Sequence, residues 1–300
     1  WPVRERVFIR GWILRARRKR EGMSKVEIYN DHFQNYKSYS IPKAQLVVAD
    51  IPYNVGKNAY GSNPAWYVDG DNKNGESDLA GKEFFDTDKN FKISEFLNFC
   101  SHMLVKEPKE KGRAPAMVIF CEFEQQFELI EKAKKYGLNN YINLVFRKNF
   151  SAQVLKANMR IVGNCEYGLV LYRDKLPKFN NHGKMIFNCI DIERDTKTPK
   201  IHPTQKPVPL LEKLIKIFTD EGEVVIDPVA GSGTTLLAAL NCNRSAYGFE
   251  IKKNFYKDAS DLINNKKLEI DEINQYGLPI TALGKINPTL FDDQLTAAGS

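Results

Sequence analysis

A chain of 300 residues with 42% apolar and 27% charged side chains can bury a large core, and its longest apolar runs, about five to eight residues, exclude a spanning helix of ~20. The five cysteines (Cys100, Cys121, Cys165, Cys189 and Cys242) lack CxxC spacing, which argues against a disulfide framework or a zinc site and for reduced core thiols in a cytoplasmic protein. The net charge of +7 is uneven, because residues 1–22 hold eight Arg or Lys against two Glu, so the remainder is nearly neutral.

That basic segment, 1–22, reads as an extension ahead of the folded body that need not be native. Met23 could open a chain, and a first strand follows it. The rival reading is an arm that contacts nucleic-acid phosphates. The segment has no long apolar stretch of the kind a secretory signal needs.

In chain order, Leu46–Ala49 predicts a buried strand, and Ile93–Val105 a helix with Ile93, Phe96, Leu97, Cys100 and Leu104 on one face. Met117–Cys121 is a strand and Phe123–Tyr136 a helix. Ile142–Arg147 and Gly168–Tyr172 are strands. Leu210–Phe218 is a helix opened by Pro207 and Pro209 and closed by Gly222. Val224–Ile226 is a strand, Thr234–Leu240 a helix, and Ala246–Phe249 a strand. Alternation of strands and helices predicts an α/β fold with a doubly wound, mostly parallel sheet. Residues 23–276 form this domain, and 277–300 form a tail with little periodicity. Two polar stretches, 54–92 and 173–200, read as long functional loops.

Two strand ends carry chemistry. Asp50-Ile51-Pro52-Tyr53 follows the first apolar strand, and Asp227-Pro228-Val229-Ala230-Gly231-Ser232-Gly233-Thr234-Thr235 follows Val224–Ile226. Glycines between a strand and a helix allow positive φ and a close backbone approach to a ligand. Glu250 ends the next strand, 19 residues beyond Gly231, where a carboxylate accepts hydrogen bonds from ribose hydroxyls. No Lys follows the glycines, which excludes a Walker A loop, and Leu236 stands where a dinucleotide fingerprint wants its third glycine. Asp227 would oppose a pyrophosphate. Asp227, Glu250 and Asp50 together suit a cationic, phosphate-free nucleoside ligand such as S-adenosylmethionine.

The Asp-x-Pro-Tyr turn suits an exocyclic amino group. Such a nitrogen is a poor nucleophile, because its lone pair is delocalised into the ring. Two acceptors at its N–H bonds localise that lone pair: the Asp50 carboxylate and the Ile51 carbonyl. Pro52 stiffens the turn, and Tyr53 offers a face on which a base can stack. Asp50 also stabilises the charge that develops on the nitrogen. No metal is needed. A base paired in a duplex cannot reach such a pocket and must flip out.

With these motifs in this order, the chain resembles the β arrangement of DNA amino-methyltransferases, the N6-adenine and N4-cytosine enzymes. Asp50, Pro52 and Tyr53 match the family's D/N/S-P-P-Y motif. Asp227, Pro228, Gly231, Ser232, Gly233, Thr234 and Thr235 match its D-P-F-x-G-S-G-T-T motif. His202, Pro203, Thr204, Gln205, Lys206 and Pro207 match its H-P-T-Q-K-P motif. The resemblance implies a Rossmann-like methyltransferase fold and S-adenosylmethionine as cofactor. It implies that Thr204, Gln205 and Lys206 line the cofactor's methionine end and that Glu250 binds its ribose. Adenine N6 is the expected target, by association with Asp rather than Ser at position 50; cytosine N4 is the rival. A restriction nuclease and a homodimer are expected partners. Ile51 stands where the family has proline, which keeps the carbonyl and costs rigidity.

DNA is the expected macromolecular substrate. Arg147, Lys148, Lys156 and Arg160 suit phosphate contact, the loops 54–92 and 173–200 suit base recognition, and Trp66 suits a stacking wedge. A different class of reading is a catalytically silent subunit of this fold that binds nucleic acid for a partner.

Overall fold

The computed structural model describes residues 24–53, 91–149, 153–154, 162–201 and 205–276. The 1–22 extension, positions 54–90 of the first loop, the 277–300 tail, Trp66, Lys156, Arg160, His202 and Thr204 lie outside the described residues. The strands are Val26–Tyr29 (β1), Leu46–Asp50 (β2), Ala116–Cys121 (β3), Asn140–Lys148 (β4), Gln153–Val154 (β5), Val162–Gly163 (β6), Cys165–Tyr172 (β7), Cys189–Ile192 (β8), Val224–Asp227 (β9) and Ser245–Phe249 (β10). The α-helices are Ile93–Met103 (α1), Gln125–Lys134 (α2), Val208–Phe218 (α3), Thr234–Asn241 (α4) and Lys253–Tyr276 (α5), with a 3₁₀ turn at Phe33–Ser38.

Among the described residues, eight strands form one sheet in the order β1-β10-β9-β2-β3-β7-β4-β8, while β5 and β6 form a separate antiparallel pair. Pairing is parallel from β1 through β3 and between β4 and β8; β7 runs antiparallel to both its neighbours. The sheet is therefore mixed and mostly parallel.

Strand alternation sorts the core into two layers. Leu46 and Val48 of β2 face the layer that holds α3 and α4, with Val118, Phe120, Phe146 and Val225. Val47, Ala49 and Ile51 face the opposite layer, with Phe96, Leu97, Cys100 and Leu129 from α1 and α2. Helices on both faces make the sheet doubly wound. They also explain why its central strands are continuous apolar runs: all six side chains of β3 are buried.

Three features depart from expectation. The stretch 173–200 is not one loop, because Cys189–Ile192 pairs parallel with β4. The 24-residue α5 escaped the periodicity reading: it buries little beyond Ala259 and Ile263, so its apolar stripe is too narrow to stand out. Cys100, Cys121 and Cys242 are buried thiols, but Cys165 and Cys189, at the first positions of β7 and β8, are exposed. No helix among the described residues is long and apolar enough to cross a membrane.

The functional consequence lies at β2 and β9. They are parallel neighbours in register, with Leu46 opposite Val225 and Val47 opposite Ile226. Their C-terminal ends, Asp50 and Asp227, therefore open side by side. On one side the sheet continues through β10 to β1 and on the other through β3 to β7, so this is the switch point where open α/β sheets bind ligands.

Candidate active site

At the glycine turn, Gly231 has φ +51° and Gly233 φ +72°, a left-handed backbone that glycine adopts without strain. The two glycines differ in surroundings. A Cβ on Gly231 would meet nothing within 4 Å, so its outer face is open. One on Gly233 would meet the Ala259 Cβ at 2.9 Å, so this glycine lets α4 pack on α5. Gly233 also caps α4, accepting from the Leu237 N–H at 3.0 Å.

Glu250 belongs to the turn. Its Oε2 accepts from the Gly231 N–H at 2.9 Å and its Oε1 from the Lys252 N–H at 2.7 Å. Asp227 is buried, and its Oδ1 accepts from the Val229 N–H at 3.1 Å. Burial, reinforced by Asp50 and Glu250 and opposed by hydrogen bonds from Thr235 and Val229, pushes the Asp227 carboxyl up to about 7. Burial also raises Glu250. Pro228, Ser232, Thr234 and Thr235 are buried around them, with the Ser232 and Thr234 hydroxyls 3.4 Å apart.

The second half of the site ends β2. Ile51 is 1% exposed in the layer of α1 and α2, and its N–H donates to the Phe120 carbonyl at 3.2 Å. It thus anchors the turn from below. The Pro52 carbonyl accepts from Gln125 Nε2 at 2.8 Å, and Gln125 Oε1 accepts from the Glu122 N–H at 2.9 Å. Gln125 therefore ties the turn to the end of β3, a role no sequence motif announced.

Asp50 presents two unlike oxygens. Oδ2 accepts from Lys206 Nζ at 2.8 Å. Oδ1 is buried and has no hydrogen-bond partner among the described residues. Since the side chain as a whole is 30% exposed, the carboxylate still borders open space. Burial raises its pKa and so does Glu166, while Lys206 lowers it. The same ammonium donates to Tyr53 Oη at 3.1 Å and lies 5.3 Å from the centre of the Tyr53 ring. Burial, and then the Asp50 charge, push the Tyr53 hydroxyl well up.

The H-P-T-Q-K-P segment divides. Gln205 holds its own loop, with Oε1 accepting from the Ile201 N–H and Nε2 donating to the Pro199 carbonyl, both at 3.0 Å. Lys206 is buried on the Asp50 side of the site. The proposed phosphate contacts divide too. Arg147 is paired to Asp191 at 2.7 and 3.0 Å, and Lys148 is ion-paired to Glu166.

A family model described as DNA methylase, for N6 and N4 methyltransferases, matches residues 44–261 and so spans both strand-end motifs. The chain belongs to the N6/N4 DNA methylase family. Among relatives of this methylase, the DNA adenine methyltransferase YhdJ of Escherichia coli (strain K12) is 26% identical over 255 residues, 78% of this chain and 81% of that protein. The type II methyltransferase M.HpaI of Haemophilus parainfluenzae is 37% identical over 79 residues, 26% of this chain and 25% of that one. Solved structures share the methylase fold. The M1.HpyAVI–SAM complex superposes with a TM-score of 0.56 at 20% identity, over 80% of this chain and 100% of that one. PvuII DNA methyltransferase, described as cytosine-N4-specific, gives 0.58 at 15% identity, over 80% and 86%.

Proposed function

We propose that this methylase transfers a methyl group from S-adenosylmethionine to the N6 amino group of a flipped-out adenine in DNA. The observation that carries the reading is Asp50 Oδ1, a buried acceptor without a partner among the described residues, beside the glycine turn. A group of this kind is stabilised when a donor arrives, and the amino group of a base is such a donor.

The residues at the turn fit the cofactor. Two buried carboxylates, Asp227 and Glu250, both raised by burial, would repel a phosphate and are relieved by a positive charge. The open face at Gly231 leaves room beside the backbone. Asp227 would hold the cofactor's ammonium end and Glu250 its ribose. Bound there, S-adenosylmethionine supplies an electrophilic methyl group.

The chain's own residues supply the rest. Asp50 Oδ1 accepts one N–H of the amino group and the Ile51 carbonyl the other, which localises the nitrogen lone pair. Tyr53 gives the base a stacking face. As the nitrogen becomes transiently cationic, the Asp50 carboxylate stabilises it. The rigid turn, pinned by Ile51 and Gln125, supplies orientation.

The clamp as such accepts cytosine N4 equally well. Adenine is preferred because Asp stands at position 50 and because a relative that aligns along most of the chain is described as an adenine enzyme. A silent nucleic-acid-binding subunit is disfavoured by the retained Asp50 and Tyr53 in an assembled clamp. A restriction nuclease and a second copy of the chain are the partners this reading expects. The test is to incubate the purified chain with unmodified DNA and S-adenosylmethionine and to map modified bases by single-molecule sequencing. N6-methyladenine at a fixed sequence supports the proposal, N4-methylcytosine replaces its base, and no mark across a range of salt concentrations refutes it.

A further inference from the structure

Glu166 sits at the second position of β7, opposite Phe146 of β4, and no motif includes it. It is nearly buried, with a side chain 18% exposed, at the same end of the sheet as Asp50. On β7 it alternates with Gly168, whose partner on β3 is Phe120; Phe120 in turn pairs with Asp50 on β2. Asp50, Phe120 and Glu166 therefore project to one face of the sheet, and Lys206 enters above them, its Nζ 5.2 Å from the centre of the Phe120 ring.

An ammonium has three N–H donors. That of Lys206 is shared by Asp50 Oδ2 at 2.8 Å, Tyr53 Oη at 3.1 Å and Glu166 Oε2 at 3.2 Å, the last a close charge contact outside hydrogen-bond alignment. Lys148 of β4 balances Glu166 from its other side. Two cations and two anions thus form a neutral row: Lys148, Glu166, Lys206, Asp50. Tyr53, Asp227 and, from the other face of β3, Cys121 interact electrostatically with Asp50 of this row.

We infer that Glu166 is a positioning residue for methyl transfer: it draws Lys206 from the side opposite Asp50, so that the ammonium engages only Oδ2 and leaves Oδ1 for the amino group of the base. Without a second anion, a buried ammonium would settle wholly on Asp50 and neutralise the acceptor that the reaction needs. Glu166 can play this part only if the chain transfers methyl groups as proposed above. Burial alone would raise the Glu166 carboxyl, but Lys206 and Lys148 hold it below its ordinary value, so it stays charged.

The test compares wild type, E166Q, E166D and K206M of the full chain in transfer of labelled methyl groups to DNA across pH. In E166Q, kcat falls about 10–100-fold, while KM for DNA changes less than about threefold. Its acid limb moves to lower pH, because Asp50 loses a like charge and keeps its cation. In K206M the acid limb moves the opposite way, because Asp50 loses its cation and keeps Glu166. E166D shows the E166Q changes at smaller size and carries the test if E166Q does not fold. A wild type that transfers no label refutes the proposed function before any variant is considered. An active wild type whose Glu166 variants keep its kcat and its acid limb overturns this role alone.

Discussion

Lys206 and Asp50 meet at 2.8 Å across 156 residues of sequence, and their contact makes the two oxygens of one carboxylate unequal. Oδ2 is held; Oδ1 is left for a ligand. A free aspartate in water has no such distinction. The asymmetry follows from burial at the end of β2 with a single cation on one side.

Removing this carboxylate should abolish chemistry and spare binding. Asp50→Ala is expected to lower kcat at least ~10²-fold, with cofactor affinity changed only slightly, since the glycine turn lies on β9. Rapid-quench methyl transfer together with calorimetric cofactor titration checks both halves. Near-normal turnover in the variant would falsify the assigned role.

Asp227, at about 7, makes two pH predictions. Affinity for the cationic cofactor should tighten as pH rises through 7, as the carboxylate ionises, and Asp227→Asn should flatten that dependence. The effect on stability runs the other way. Because the folded-state pKa lies above the unfolded value near 3.8, the folded protein holds the proton more tightly. Stability contributed by this group is therefore full below pH ~4 and lost as pH rises towards 7. Without ligand at pH 8, Asp227→Asn should melt higher than wild type, by an amount bounded at about 4 kcal/mol, and the gap should narrow at pH 5 and close only below pH ~4. Equal melting curves at pH 8 would contradict the raised pKa.

Gln125 should matter to rate more than to folding. Gln125→Leu removes the donor to the Pro52 carbonyl and the acceptor for the Glu122 N–H. Each such bond contributes about 1 kcal/mol to stability. A modest drop in melting temperature should accompany a fall of about tenfold in kcat, because the turn that carries Tyr53 is released. A melting change with no change in kcat would make Gln125 a purely structural tie.

Restoring the family's proline should not help this chain. Ile51 donates its N–H to the Phe120 carbonyl and buries its side chain against the α1 and α2 layer. Ile51→Pro forfeits both, at a combined cost of about 2 kcal/mol. Chemical denaturation measures that loss, and a variant that is both faster and as stable as wild type would show that rigidity, not anchoring, limits this turn.

Much of the fold was legible because central strands buried on both faces are continuous apolar runs, as Leu46–Ala49 and Met117–Cys121 are. Their positions follow from those local runs alone. The long α5 and the short β8 were not legible. One exposes most of its surface; the other, Cys189–Ile192, is four residues of alternating exposure inside a polar stretch. The glycine turn, Asp227 and Glu250 were readable as a unit because strand, turn and next strand are local in sequence. Glu166 and Gln125 were not, since the contacts that bring each to the site, with Lys206 and with the Pro52 carbonyl, span long stretches of sequence.

Sequence by itself determined the chemical vocabulary of this protein: an Asp-x-Pro-Tyr turn at one strand end, a glycine turn with acidic neighbours at another, and an alternating α/β pattern to carry them. Short-range spacing and hydrophobic periodicity suffice for those, because each is set by neighbours along the chain. Only the tertiary structure decided which charges meet. The pairing of β2 with β9 set the Asp50–Tyr53 turn beside the glycine turn. The packing of the segment before α3 over Phe120 put Lys206 between Asp50 and Glu166. Those contacts depend on long-range burial, where one ammonium must satisfy several distant acceptors at once, and no local pattern encodes that.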